Sequence, residues 1–123
     1  MSLIISSYGE IIDKYTILLI KKEKIQDKTK LANIQKELDI LLPIVESIIL
    51  NDKWSIIDEL KLINTELWEI EDNIRIKEKN NCFDSEFIIL ARNVYKTNDK
   101  RASIKYKINQ YTHSPIIEEK SYS

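Results

Sequence analysis

A chain of 123 residues can build one hydrophobic core but not two of ordinary size, and one glycine with two prolines supplies too few tight turns for an antiparallel sheet. A hydrophobic fraction of 43% beside a charged fraction of 32% excludes extensive disorder and fits amphipathic helices with wide solvated faces. With 19 basic side chains against 20 acidic ones, no field of one sign exists to attract nucleic acid or an anionic membrane, and the lone Cys82 and His113 exclude an intrachain disulfide or a Cys/His zinc cluster.

In chain order, the spacing predicts a first helix from about Ser7 to Gln26, capped by Ser6 or Ser7, with Glu10 completing a capping-box spacing. Ile4, Ile11, Leu18 and Ile25 recur every seven residues beside Ile5, Ile12 and Leu19, flanked by Tyr8 and Tyr15. Glu10, Asp13, Ile17 and Ile20 form a second stripe, so this helix is expected to pack on more than one side. Its longest aliphatic run, Ile17 to Ile20, is too short to span a membrane, and the N-terminus shows no secretory pattern; a cytoplasmic location is expected.

A second helix is predicted from about Lys28 to Leu42, capped by Asp27, on Leu31, Ile34, Leu38 and Leu41. Pro43 should stop it or kink it before Ile44 to Leu50, because proline removes a helical donor and restricts the residue before it. Asn51 and Asp52 read as the turn and cap of a third helix with the seam Ile56, Leu60, Ile63, Leu67, Ile70 and Ile74. Lys77 to Cys82 reads as a loop, and Asp84 or Ser85 caps a fourth helix running to about Tyr111. His113 to Ser123 is expected to be an extended tail. The expected architecture is a single all-α domain: an antiparallel bundle or paired hairpins of about four helices.

The fourth helix carries the most informative irregularity. Its seam of Phe87, Leu90, Val94, Thr97, Arg101, Ile104, Ile108 and Tyr111 is interrupted by Thr97 and Arg101, with Asn98 beside them. A guanidinium on an apolar face needs an acid, and Glu10, Asp13 and Glu71 are the candidates; Asn64, Trp68, Glu71 and Arg75 form a flank stripe on the third helix. Two readings stay open: a paired polar layer that fixes helix register, or a polar cavity for a carboxylate or phosphate next to a planar group. The acid-x-x-acid spacings Glu10/Asp13 and Glu69/Asp72 resemble, at low density, the metal sites of all-helical nucleotide pyrophosphohydrolases, yet solvated caps and salt bridges explain them equally, so no metal or other cofactor is expected. The lysines from Lys21 to Lys30 and from Lys96 to Lys107 alternate with acids, which favours solvated faces over a nucleic-acid patch.

Four stretches carry a resemblance. GEIIDKYTIL from Gly9, LWEIED from Leu67, FIILARNVYKTND from Phe87 and EEKSY from Glu118 together resemble a family of short bacterial and phage proteins of unknown function. The resemblance implies a helical fold, no assigned activity, and frequent proximity to genes for surface-polysaccharide and glycosyltransferase enzymes. The polar positions matching the family include Glu10, Asp13, Lys14, Asn64, Trp68, Glu71, Arg92, Tyr95, Asn98 and Arg101, which stand here as the ligand- or partner-binding candidates. Members tend to carry acids where this chain has Leu19 and Lys100, so no charged role passes to those two. The expected function is that of a non-enzymatic binding or accessory protein and homo-oligomer, linked to surface-polysaccharide synthesis; the alternative is an enzyme acting on a phosphorylated or nucleotide-linked metabolite through Arg101, Asn98 and Glu71.

Overall fold

The computed structural model describes residues 2–49 and 54–120, and the described residues form four helices and no strand. These are α1 (Tyr8–Lys24), α2 (Lys28–Ile48), α3 (Trp54–Lys79) and α4 (Ser85–Tyr111). The all-helical expectation holds, with boundaries displaced by the few residues over which helix ends fray. The expected cap at Asn51 and Asp52, and the last three tail residues, lie outside the described residues.

Ser7 caps α1, its hydroxyl accepting the Glu10 N–H at 3.2 Å. Only half of the capping box forms, because the Glu10 carboxylate turns to the Lys105 ammonium at 2.6 Å. Asp27 caps α2 by accepting the Lys30 N–H, and Asp84 caps α4 by accepting that of Phe87. Both long helices that end among the described residues of the second half close in the same way. Cys82 N–H donates to the Lys77 carbonyl and Asn81 N–H to that of Glu78, with Asn81 at φ 50°. Ser114 N–H donates to the Asn109 carbonyl and His113 N–H to that of Gln110, with His113 at φ 52°. These are Schellman closures in which Asn81 and His113 occupy the left-handed position usually given to glycine.

Of the two readings of Pro43, the stop at Leu42 does not occur, for α2 runs through Pro43 to Ile48. Pro43 leaves the Asp39 carbonyl without its helical donor, but both residues are exposed and water can satisfy it. Beyond the proline, Val45 and Ile49 are buried in the main core and hold the last turns in place. The loop expected from Lys77 also begins later, since α3 continues to Lys79.

α1 is the central element: α2, α3 and α4 each pack against it, and α3 pairs with α4. Contacts of Gly9 with Asn109, Glu10 with Lys105 and Asp13 with Arg101 run in opposite senses along the chain, so α1 and α4 are antiparallel. The main core joins Ile12 to Val45, Ile49, Ile57, Leu60, Ile104 and Ile108. A smaller cluster of Leu18, Ile34 and Leu38 closes the α1–α2 hairpin. The seam predicted for α3 is buried at Leu60, Leu67 and Ile70, but its face is turned so that Ile57 and Asn64 are buried and Ile56 and Ile63 flank them. On α4 the seam is buried at Thr97, Ile104 and Ile108, whereas Tyr111 at its end is exposed. No helix among the described residues is long and apolar enough to cross a membrane.

Candidate functional site

The first turn of α1 sits directly on α4. A Cβ on Gly9 would lie 2.6 Å from the Lys105 carbonyl oxygen, so only glycine allows this approach. The close fit places the α1 amide groups against side chains from the far end of the chain. Gly9 N–H donates to Asn109 Oδ1 at 2.7 Å and Tyr8 N–H to Ser114 Oγ at 3.1 Å, while the buried Ser7 hydroxyl donates to Glu118 Oε1 at 2.6 Å. The residues after α4 therefore fold back over the start of α1 rather than trailing away from it. With Ser7 serving Glu10 N–H, the amides that open α1 are all engaged, so this helix end is closed to an anion.

One turn further along α1, Asp13 is 1% exposed. Arg101 Nε donates to its Oδ1 at 3.0 Å and Arg101 Nη2 donates to its Oδ2. Asn64 Nδ2 donates to the same Oδ1 at 2.9 Å and also to Thr16 Oγ1 at 2.9 Å, and the Thr16 hydroxyl donates to the Asp13 carbonyl at 2.7 Å. Each of α1, α3 and α4 thus contributes to one satisfied polar layer across the apolar core. The hydrogen-bonded Asp13 carboxylate holds the Arg101 guanidinium above its ordinary pKa, outweighing the opposing effect of partial burial. The sequence-level pairing of Arg101 with an acid of the first or third helix is met by Asp13.

Arg101 also reaches the surface, its side chain being 27% exposed. Three clefts meet at it. One of about 250 Å³ lies where α1, α3 and α4 converge and includes Asn64, Trp68, Glu71 and Asn98. A second, of about 310 Å³, includes Glu10, Asp13 and Lys14. The third, of about 370 Å³ along α4, includes Tyr95 and Asn98. All the candidates read from the sequence except Arg92 therefore gather around one guanidinium; Arg92 is exposed and borders none of the three. Lys14 is tied loosely to Glu37 at 3.5 Å on the outside of α1 and α2.

Sequence reasoning missed Thr16, Lys105, Asn109, Ser114 and the role of Gly9. Thr16 was detectable, since it shares a face with Ile12, Asp13 and Ile20 and so had to be buried. Asn109, next to Ile108 on the seam, gave a weaker signal of the same kind. Among the described residues, no three His, Cys, Asp or Glu side chains converge as a metal site would require, and Glu69 and Asp72 are exposed.

The fold and site define a small all-helical protein built around a satisfied Asp–Arg–Asn layer that opens onto surface clefts. The chain belongs to a family of unknown function, DUF6165, whose sequence profile matches residues 1–123. No curated protein and no solved structure matches it.

Proposed function

We propose that the protein is a non-enzymatic binding or accessory protein, with the surroundings of Arg101 as its contact site. One observation carries this reading: both oxygens of Asp13 are held by Arg101 and one of them also by Asn64, so the buried carboxylate is neutralised and hydrogen-bonded. An acid in that state is badly placed to serve as a general base, since it is 1% exposed and both its oxygens already accept hydrogen bonds. Glu10 is likewise committed to Lys105. The cluster keeps the groups that recognise a ligand while Asp13 and Glu10 are occupied.

A role beside surface-polysaccharide enzymes, in the cytoplasm and as a homo-oligomer, completes the proposal; the first follows from the gene company that the resemblance implies. The test is a thermal-shift screen of the full chain against phosphorylated, nucleotide-linked, neutral and zwitterionic metabolites, followed by turnover assays on every hit with magnesium or manganese. Raised melting temperature without product is the expected result. Product formation that Glu71→Gln abolishes would establish the enzyme instead.

A further inference from the structure

The cleft shared by α1, α3 and α4 has a specific set of unused hydrogen-bonding groups. Arginine has five N–H donors. Asp13 takes the Nε donor and one on Nη2, and Asn98 Oδ1 accepts one from Nη1 at 3.4 Å. One N–H on each terminal nitrogen is left over, and Asn98 keeps its own amide donors. Across the cleft, Asn64 is 7% exposed and has spent both amide protons on Asp13 and Thr16. Its carbonyl oxygen accepts no hydrogen bond from any described residue, although Asn64 borders the cleft. That oxygen is not sealed in the core but reached from the cleft, so it stays open to a donor supplied by a ligand there.

Charge decides what that something is. Arg101 and Asp13 cancel, so Glu71 leaves the cleft with a net negative charge. A phosphate dianion would meet Arg101 already neutralised and Glu71 opposed to it. A ligand with charges of both signs meets complementary groups: donors from Arg101 and Asn98 on one side, and acceptors from Asn64 and Glu71 on the other. Trp68 adds an aromatic face, which attracts an ammonium group, and Ile17, Ile20 and Leu67 supply an apolar wall. About 250 Å³ suits a ligand of amino-acid size.

We propose that this cleft binds a free amino acid as a zwitterion, its carboxylate on Arg101 and Asn98 and its ammonium on Glu71, the Asn64 carbonyl and Trp68. The assignment rests on the binding-protein reading and names its ligand class. The test is calorimetric titration of the full chain with the individual L-amino acids, each hit being repeated with the corresponding 2-keto acid and the corresponding decarboxylated amine. One or more amino acids should saturate at millimolar concentration or below, while the keto acid and the amine bind at least about tenfold more weakly, each lacking one charged contact.

Glu71→Gln, at an exposed position, should weaken binding about tenfold while leaving the melting curve in place. Trp68 gives a readout that needs no variant: its indole resonance should shift during the titration and that of Trp54 should not. No saturation by any amino acid, equal binding of the keto acid, or a silent Trp68 resonance would overturn the assignment. Binding of a neutral sugar or inorganic phosphate in this cleft in preference to amino acids would overturn it too, while leaving the binding-protein reading intact. Chemical turnover of a bound amino acid would do the reverse.

Discussion

Removing Arg101 leaves the buried Asp13 carboxylate charged and unsolvated, whereas removing Asp13 leaves a guanidinium that still reaches solvent, so the two should be coupled but unequal. Arg101→Leu should cost about 3–5 kcal/mol in urea unfolding and Asp13→Leu less, and the double variant should cost much less than their sum. Additive losses would show that the pair carries no specific energy. Gly9→Ala gives the opposite kind of test. Alanine is the better helix former by about 1 kcal/mol, yet its Cβ would press on the Lys105 carbonyl. A backbone oxygen cannot move aside as a side chain can, so a net destabilisation of about 1–3 kcal/mol is expected. The Asp13–Arg101 contact was legible in the sequence because each residue interrupts an apolar seam and so demands a partner. The contacts of Gly9 and Tyr8 with Asn109 and Ser114 were not, because they join ends of the chain about 100 residues apart. No local pattern encodes which distant side chain will satisfy an exposed helix amide.

Helix caps are local, and Asp27 and Asp84 were readable for that reason. Asp84 also shows what a cap does with pH. The Phe87 N–H first, and the Lys77 ammonium second, hold its carboxyl down to about 2. A group whose folded pKa is depressed contributes stability above its unfolded value, here 3.8, and loses that contribution as pH falls through about 2. An NMR titration should therefore place the Asp84 midpoint near 2, and Asp84→Asn, which keeps an acceptor at the cap, should remove this part of the acid sensitivity. A midpoint in the ordinary aspartate range would count against the cap and the Lys77 pair together. Pro43 left stop and kink both open because the local rule ignores what lies beyond it: Val45 and Ile49 hold the helix in the core past a residue that disfavours it. Pro43→Ala restores a donor to the Asp39 carbonyl but gives the unfolded chain more freedom. The net gain should be about 1–2 kcal/mol, smaller than the roughly 3 kcal/mol of intrinsic propensity. Far-UV circular dichroism should stay helical, and unfolding midpoints should rise.

At the scale of the whole molecule, the periodicity established that four helices form and that α1 packs on several sides, but not where apolar surface would be left uncovered. The homo-oligomer expected from the sequence needs apolar surface left free once α2, α3 and α4 have packed against α1. Uncovered apolar surface lies chiefly in two places. Leu3, Ile4 and Ile5 before α1 are more than four-fifths exposed. At the far end of the α3–α4 hairpin no described residue of α3 after Ile70 and none of α4 before Thr97 is buried, which makes that end the larger two-helix face. Ile76, Phe83, Ile88 and Ile89 are each more than half exposed there. Two helices alone give such side chains little to pack against, and twofold pairing of two hairpin ends would convert them into a four-helix arrangement with a core of its own. The protein is therefore expected to be a dimer by light scattering at micromolar concentration. Ile88→Lys with Ile89→Lys should give a monomer of unchanged helicity, because both positions are exposed and lie far from the main core. The corresponding change at Leu42 and Ile44, exposed on the outside of α2, should leave the dimer intact. A wild-type chain that stays monomeric, or one made monomeric by the α2 changes alone, would remove the hairpin end as the interface and assign association to another face or to none.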